Sequence, residues 1–217
     1  MRNKFEREMA ELNEDVIKMS NFIQITILKV MEALKTKDKV LAREVYENDY
    51  KANDLEYKIE KKSLKILLTE QPVAKDLRTI STALKMITDM ERICDQGADI
   101  AEIVMSFQGD PKEDNDLLYE MAEKCVKMVM KAIDAFVNHD LALANAVIDS
   151  DDEIDRLFLE VRKGLIEAIK EDSNNGELWI DYLMIAKYLE RIGDHAQNIA
   201  EWVVFNITGV RKQQKIF

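Results

Sequence analysis

The chain has few helix breakers: two prolines and six glycines in 217 residues. That scarcity excludes the disordered and low-complexity classes. With 47% hydrophobic and 34% charged residues, the profile is that of a strongly helical globular protein. Cysteine is equally sparse. Cys94 and Cys125 have no second Cys or His at metal-ligand spacing, so both read as buried free thiols in a reducing compartment. The two histidines, His139 and His195, have Phe136 and Ile192 three positions before them, so neither forms a Glu-x-x-His pair. Both read as surface or supporting residues. No run approaches the roughly 18 apolar residues of a membrane span. The N-terminal MRNKFEREMAEL is charged and amphipathic, unlike a signal peptide. A cytoplasmic protein is the expectation. Positive charge is in deficit: the net charge of −11 disfavours nucleic acid and anionic lipid as broad-surface partners. There is no glycine-rich phosphate loop and no nucleophile-and-base constellation, which argues against an enzyme.

What the chain does have is a duplicated acidic motif. Residues 90–102 read MERICDQGADIAE and residues 189–201 read LERIGDHAQNIAE, with seven of thirteen positions identical. Unrelated segments share about one such position. The repeat extends backwards: Ala33, Leu34, Asp38, Ala42, Val45, Asp49 and Leu55 meet Ala135, Phe136, Asp140, Ala144, Val147, Asp151 and Leu157, each 102 positions on. The last helices match at an offset of 99, so the second copy is about three residues shorter. Apolar residues at helical spacing predict helices over about 3–35, 39–69, 72–107, 113–137, 140–171 and 177–207. Thr36 and Asp38 are the candidate caps of the second, and Pro72 is expected to sit in the first turn of the third. Gly109-Asp110-Pro111 is the mid-chain break, dividing 1–108 from 112–217. The expected fold is all-α: two tandem, pseudo-symmetric antiparallel three-helix bundles.

Glu91, Asp95, Asp99 and Glu102 fall at i, i+4, i+8 and i+11, on one face of a helix; the second copy gives Glu190, Asp194, Asn198 and Glu201. The preceding helices add Asp49 and Asn53, then Asp151 and Asp155. Rows of like charge repel, and packing two together requires a cation. Three readings compete. The rows hold a hard metal ion such as Mg²⁺, Mn²⁺, Ca²⁺ or ferric iron. Alternatively they bind a basic protein surface, or they are solvated faces in which Arg92 and Arg191 pair with Asp95 and Asp194. A carboxylate-bridged metalloenzyme is disfavoured by the missing Glu-x-x-His pairs. Gln71, Lys75, Asp76 and Arg78 gather around the start of the third helix, as a partner contact, a structural clamp or a simple capped turn.

The segment QPVAKDLR, the ERICD and ERIGD repeats, and the DYKAND and DDEID pairs resemble the PhoU family of phosphate-signalling proteins along essentially the whole chain. The resemblance implies two pseudo-symmetric three-helix bundles. It implies a multinuclear iron or zinc cluster on Asp49, Glu91, Asp95 and Asp99, and another on Asp151, Asp155, Glu190, Asp194 and Asn198. At Asn53 and Asn198 an amide stands where the family pattern has a carboxylate. It further implies negative regulation of phosphate uptake and of the phosphate-starvation response. The family member acts as an adaptor between the ATPase subunit of a phosphate ABC transporter and a sensor histidine kinase. It would be cytoplasmic, at the inner membrane only through its partners, with a homodimer left open.

Overall fold

The computed structural model describes residues 2–73, 75–107, 115–171 and 173–210. Among the described residues, seven α-helices carry the fold: α1 (Arg2–Thr36), α2 (Lys39–Asn48), α3 (Tyr50–Glu70), α4 (Lys75–Ser106), α5 (Asp116–Asn138), α6 (Leu141–Glu171) and α7 (Gly176–Thr208), with a 3₁₀ turn at Ser173–Asn175. No strand occurs among the described residues. The helices α1 to α4 pack as one bundle and α5 to α7 as a second. The two join through α4 against α7 and α1 against α5.

The periodicity explains the packing. In α1, Leu12, Val16, Met19, Ile23, Ile27, Val30 and Leu34 recur every three or four residues and are all buried. Each bundle opens with the same corner. Lys37 and His139, 102 positions apart, both take left-handed backbone (φ 57° and 50°). The following Asp38 and Asp140 donate backbone N–H groups to Ala33 and Ala135 O at 3.0 and 2.9 Å, a Schellman closure. The same aspartates then cap the next helix. Asp38 accepts from the amides of Val40 and Leu41, and Asp140 from that of Leu143.

The first bundle is also tied by a buried charge. Asp15, 2% exposed, accepts from Lys58 Nζ at 2.9 Å and Lys62 Nζ at 2.5 Å, both on α3. Burial pulls its carboxyl upward, but the two lysines overcome this and hold it at about 2. A carboxyl lowered from 3.8 contributes stability above its unfolded pKa that is lost as pH falls towards 2. Asp15→Asn should therefore cost about 2–3 kcal/mol at pH 7, and thermal melts of parent and variant should converge near pH 2.

Two details depart from the sequence expectation. The second helix is two helices. At Asp49 the hydrogen-bond ladder slips to the tighter i−3 register: Asp49 N–H donates to Tyr46 O at 3.4 Å, and Ala52 N–H to Asp49 O at 2.8 Å. Its repeat partner Asp151 lies inside an unbroken α6. The third helix begins at Lys75, so Pro72 lies in the connector rather than the first helical turn. The cause is Gln71, which ends α3 with a left-handed φ of 47°. The Gly109–Pro111 break falls outside the described residues.

Candidate carboxylate sites

The first acidic row stands where expected. Glu91, Asp95 and Asp99 lie half-buried on α4, facing the α2–α3 junction where Asp49 sits. One oxygen of Asp49, Oδ1, is buried without a hydrogen-bond partner. Burial pushes the Asp49 carboxyl up, and Asp95 and Asp99 push it further. Glu91 is pushed to about 7 by burial first, then by Asp95, against the opposing pull of Arg92, with Glu56 and Asp49 adding. Asp99 is raised by burial, Asp95 and Glu102, against Arg191 and the hydroxyl of Tyr188, which donates to it. Arg92 closes the rim, 3.0 Å from Asp95 and 3.5 Å from Glu91. Asn53 is exposed.

The second row joins α6 to α7. Asp151 is pushed to about 6 by burial and then by Asp194, Asp155, Asp152 and Glu190. Asp155 is raised by burial, Glu190 and Asp152; Asp194 by partial burial, Glu190 and Asp155. Lys187 hydrogen-bonds Glu190 and opposes both shifts. Gly193 lets α6 come close. A Cβ there would meet Ile154 Cγ2 at 3.2 Å and Asp151 Oδ1 at 3.7 Å.

Asn198 does not join this row. Its amide donates to Asp89 Oδ1 at 3.2 Å, beside His195 Nδ1 at 2.9 Å from the same oxygen. The reason lies in the repeat. Asp89 and Tyr188 are equivalent positions, as are Asp99 and Asn198, so Asn198–Asp89 and Asp99–Tyr188 are one contact made twice across the α4–α7 seam. Arg191 likewise faces Asp99 rather than Asp194. Glu56 was not singled out in the sequence. It stands seven residues after Asp49, on the same face, accepts from the Thr88 hydroxyl at 3.0 Å and perturbs Glu91. The seven-residue spacing was the signal for it.

The donors are clustered carboxylates, with those of Asp49, Glu91, Asp99, Asp151, Asp155 and Asp194 pushed up by burial and by their acidic neighbours, and one buried oxygen of Asp49 is unpartnered, a set whose chemistry suits a hard cation. Among the described residues, no three His, Cys, Asp or Glu side chains are arranged to hold a metal ion as they stand.

Of the QPVAKDLR residues, Gln71 and Lys75 are exposed, and the Asp76 amide bonds Val73 O at 3.1 Å. Arg78 reaches the C-terminal end of α7. Its guanidinium lies against Gly209, which ends α7 with φ 78°. Thr79 donates to Asn206 at 3.3 Å beside it. Arg78 is thus a clamp between the start of α4 and the end of α7. An added Cβ at Gly209 would strike its Nη1 and would sit in left-handed backbone. Gly209→Ala should cost about 1–2 kcal/mol, read as a lowered thermal midpoint.

A tandem all-helical fold with a carboxylate row at equivalent places in each repeat defines a duplicated helical-bundle protein. The PhoU domain matches residues 16–104 and again 118–203, and the chain belongs to the PhoU family. It is 32% identical over 210 residues to the phosphate-specific transport system accessory protein PhoU homolog of Clostridium acetobutylicum, covering 96% of each chain. It is 37% identical over 208 residues to PhoU homolog 1 of Thermotoga maritima, covering 94% of this chain and 89% of the relative. The crystal structure of PhoU from Pseudomonas aeruginosa superposes with a TM-score of 0.92 at 30% identity, over 95% of this chain and 100% of that one.

Proposed function

We propose that the protein is a non-catalytic regulator that restrains phosphate uptake and the phosphate-starvation response. It bridges the ATPase subunit of a phosphate ABC transporter to a sensor histidine kinase. The observation that carries this reading is near full-length similarity to proteins named as accessory to a phosphate-specific transport system. No described helix is long and apolar enough to cross a membrane, so contact with a membrane transporter would run through its cytoplasmic subunits. Deleting the gene should leave phosphate uptake and phosphate-responsive transcription high in phosphate-replete cells. Unchanged uptake and transcription would remove the reading.

The acidic rows support a metal-linked role. Asp49, Glu91, Asp95 and Asp99 would hold one hard cation or cluster, and Asp151, Asp155, Glu190 and Asp194 another; iron, zinc, magnesium and manganese are the candidates. A bound ion would neutralise carboxylates that otherwise repel one another. Asn198, committed to Asp89, would lie outside that shell. The QPVAKDLR turn leaves Gln71 and Lys75 free to touch a partner, while Arg78 holds the fold.

A further inference from the structure

The second bundle carries a feature that its own repeat lacks. All three lysines of α5, Lys124, Lys127 and Lys131, line a cleft of about 160 Å³ closed by Ser150, Glu153 and Ile154 of α6 and floored by Met128. Lys124 is held by Glu153 at 2.6 Å and lies 3.6 Å from Glu120. Lys127 and Lys131 have no ion-pair partner among the described residues.

In the first repeat the positions equivalent to Lys124 and Lys127 are Phe22 and Ile25. The equivalent of Lys131 is Lys29, which is neutralised by Glu44 at 2.6 Å. At the place of Glu44 the second repeat has Ala146. The second copy thus has three lysines around a cleft and lacks the acid that answers one of them in the first. In a chain of net charge −11, a surplus of cations converging on a concave, partly apolar surface is a site for an anion.

We propose that the α5–α6 cleft binds a protonated oxyanion, inorganic phosphate being the natural member of that class. The lysines supply donors to the anion's oxygens. Glu153, already hydrogen-bonded to Lys124, offers the one thing that selects among oxyanions: a carboxylate acceptor. Phosphate near neutral pH carries an O–H that donates to it. Sulfate carries none, and meets the Glu153 carboxylate with no proton to share. The cleft is large enough for a five-heavy-atom anion with a few waters. This deepens the phosphate-system reading by placing a sensor on the chain itself, although the binding stands or falls independently of uptake.

The test is titration of the full-length, chelator-treated protein with inorganic phosphate and, separately, sulfate, at low ionic strength, followed by calorimetry and by the lysine resonances in NMR. Phosphate should saturate one site, with sulfate about tenfold weaker or more. Lys127→Gln/Lys131→Gln should weaken phosphate by about tenfold or more, while Lys29→Gln in the first repeat changes nothing. Glu153→Gln should bring sulfate to about the affinity of phosphate. All these positions are solvent-accessible, so far-UV circular dichroism should report folded variants. Absent or non-saturable phosphate binding, or binding that the double lysine change leaves intact, would overturn the site. Equal affinity for sulfate in the parent would overturn the selectivity. Gene deletion that leaves uptake unchanged while phosphate still binds would remove the regulatory reading and leave the site standing.

Discussion

At pH 8, metal-free Glu91→Gln/Asp151→Asn should melt about 5–10 °C above the parent, and at pH 4 the two should melt together. Both carboxyls are raised in the fold, Glu91 from 4.5 to about 7 and Asp151 from 3.8 to about 6, with burial the leading cause in each. A raised carboxyl binds its proton more tightly in the native state than in the unfolded chain. Its contribution is therefore fully present below pH 4 and is lost as pH climbs through 6 and 7. The two shifts amount to roughly 6 kcal/mol as a ceiling, and partial solvation of both groups cuts this to about half. For a chain of this size, that converts at about 2–4 °C per kcal/mol. The neighbours of Glu91 are Asp95, Glu56 and Asp49, and those of Asp151 are Asp194, Asp155, Asp152 and Glu190. They share no member, so the two effects should add. A divalent cation held by the rows would reverse the order, raising the parent's midpoint and leaving the variant's in place. Parent and variant melting together at pH 8, with and without cation, would mean that the rows are solvated faces.

The repeat made most of this fold legible. Two motifs 99 positions apart, and a chain of matches 102 apart, predict helices in sets of three and set Asp49 beside Glu91 and Asp151 beside Glu190. What stayed hidden is where the copies diverge. Helical periodicity reads φ and ψ through side-chain spacing, and Asp49 keeps helical backbone (φ −57°, ψ −40°). The slipped hydrogen bonds that separate α2 from α3 leave no mark on that spacing. Asn198 was read with its own row because its motif position matches Asp99. Facing direction across a pseudo-twofold seam depends on the opposite helix, where Asp89 occupies the place of Tyr188. Glu56 and Phe158 show the same divergence. Thr88 donates to Glu56 in one bundle, while at the equivalent place Lys187 lies over the Phe158 ring at 5.2 Å. The same helix–helix contact is thus a side-chain hydrogen bond in one bundle and a cation–π contact in the other. The lysine cleft of α5 arose in the same way, by substitution at positions whose partners only the folded chain brings near.

Tyr182→Ala should lower the thermal midpoint by about 6–20 °C, and both bundles should still melt together. Tyr182 is 1% exposed and sits where the end of α4 meets the start of α7. Phe107 packs edge-on against it at 5.9 Å and 82°, and Trp179 at 6.1 Å and 61°. Truncating such a ring removes its transfer energy and leaves a cavity that close-packed helices cannot fill, a cost of about 3–5 kcal/mol. At the scale of a 217-residue chain this gives the stated drop. The same joint decides cooperativity. Along the α4–α7 seam run the Arg78 clamp on Gly209, the Asp89 contacts with His195 and Asn198, the Tyr188–Asp99 bond and this aromatic cluster. The aromatic cluster is lost, while the other seam contacts, the Thr79–Asn206 hydrogen bond among them, and the α1–α5 packing remain to couple the halves. Trp179 and Trp202, the chain's only tryptophans, both lie on α7, so fluorescence reports the second bundle while far-UV circular dichroism reports both. The two probes should give coincident transitions in the variant as in the parent. Separation of the curves would mean that the aromatic joint alone couples the bundles, and that the polar contacts along the seam set its register without binding the halves into one folding unit.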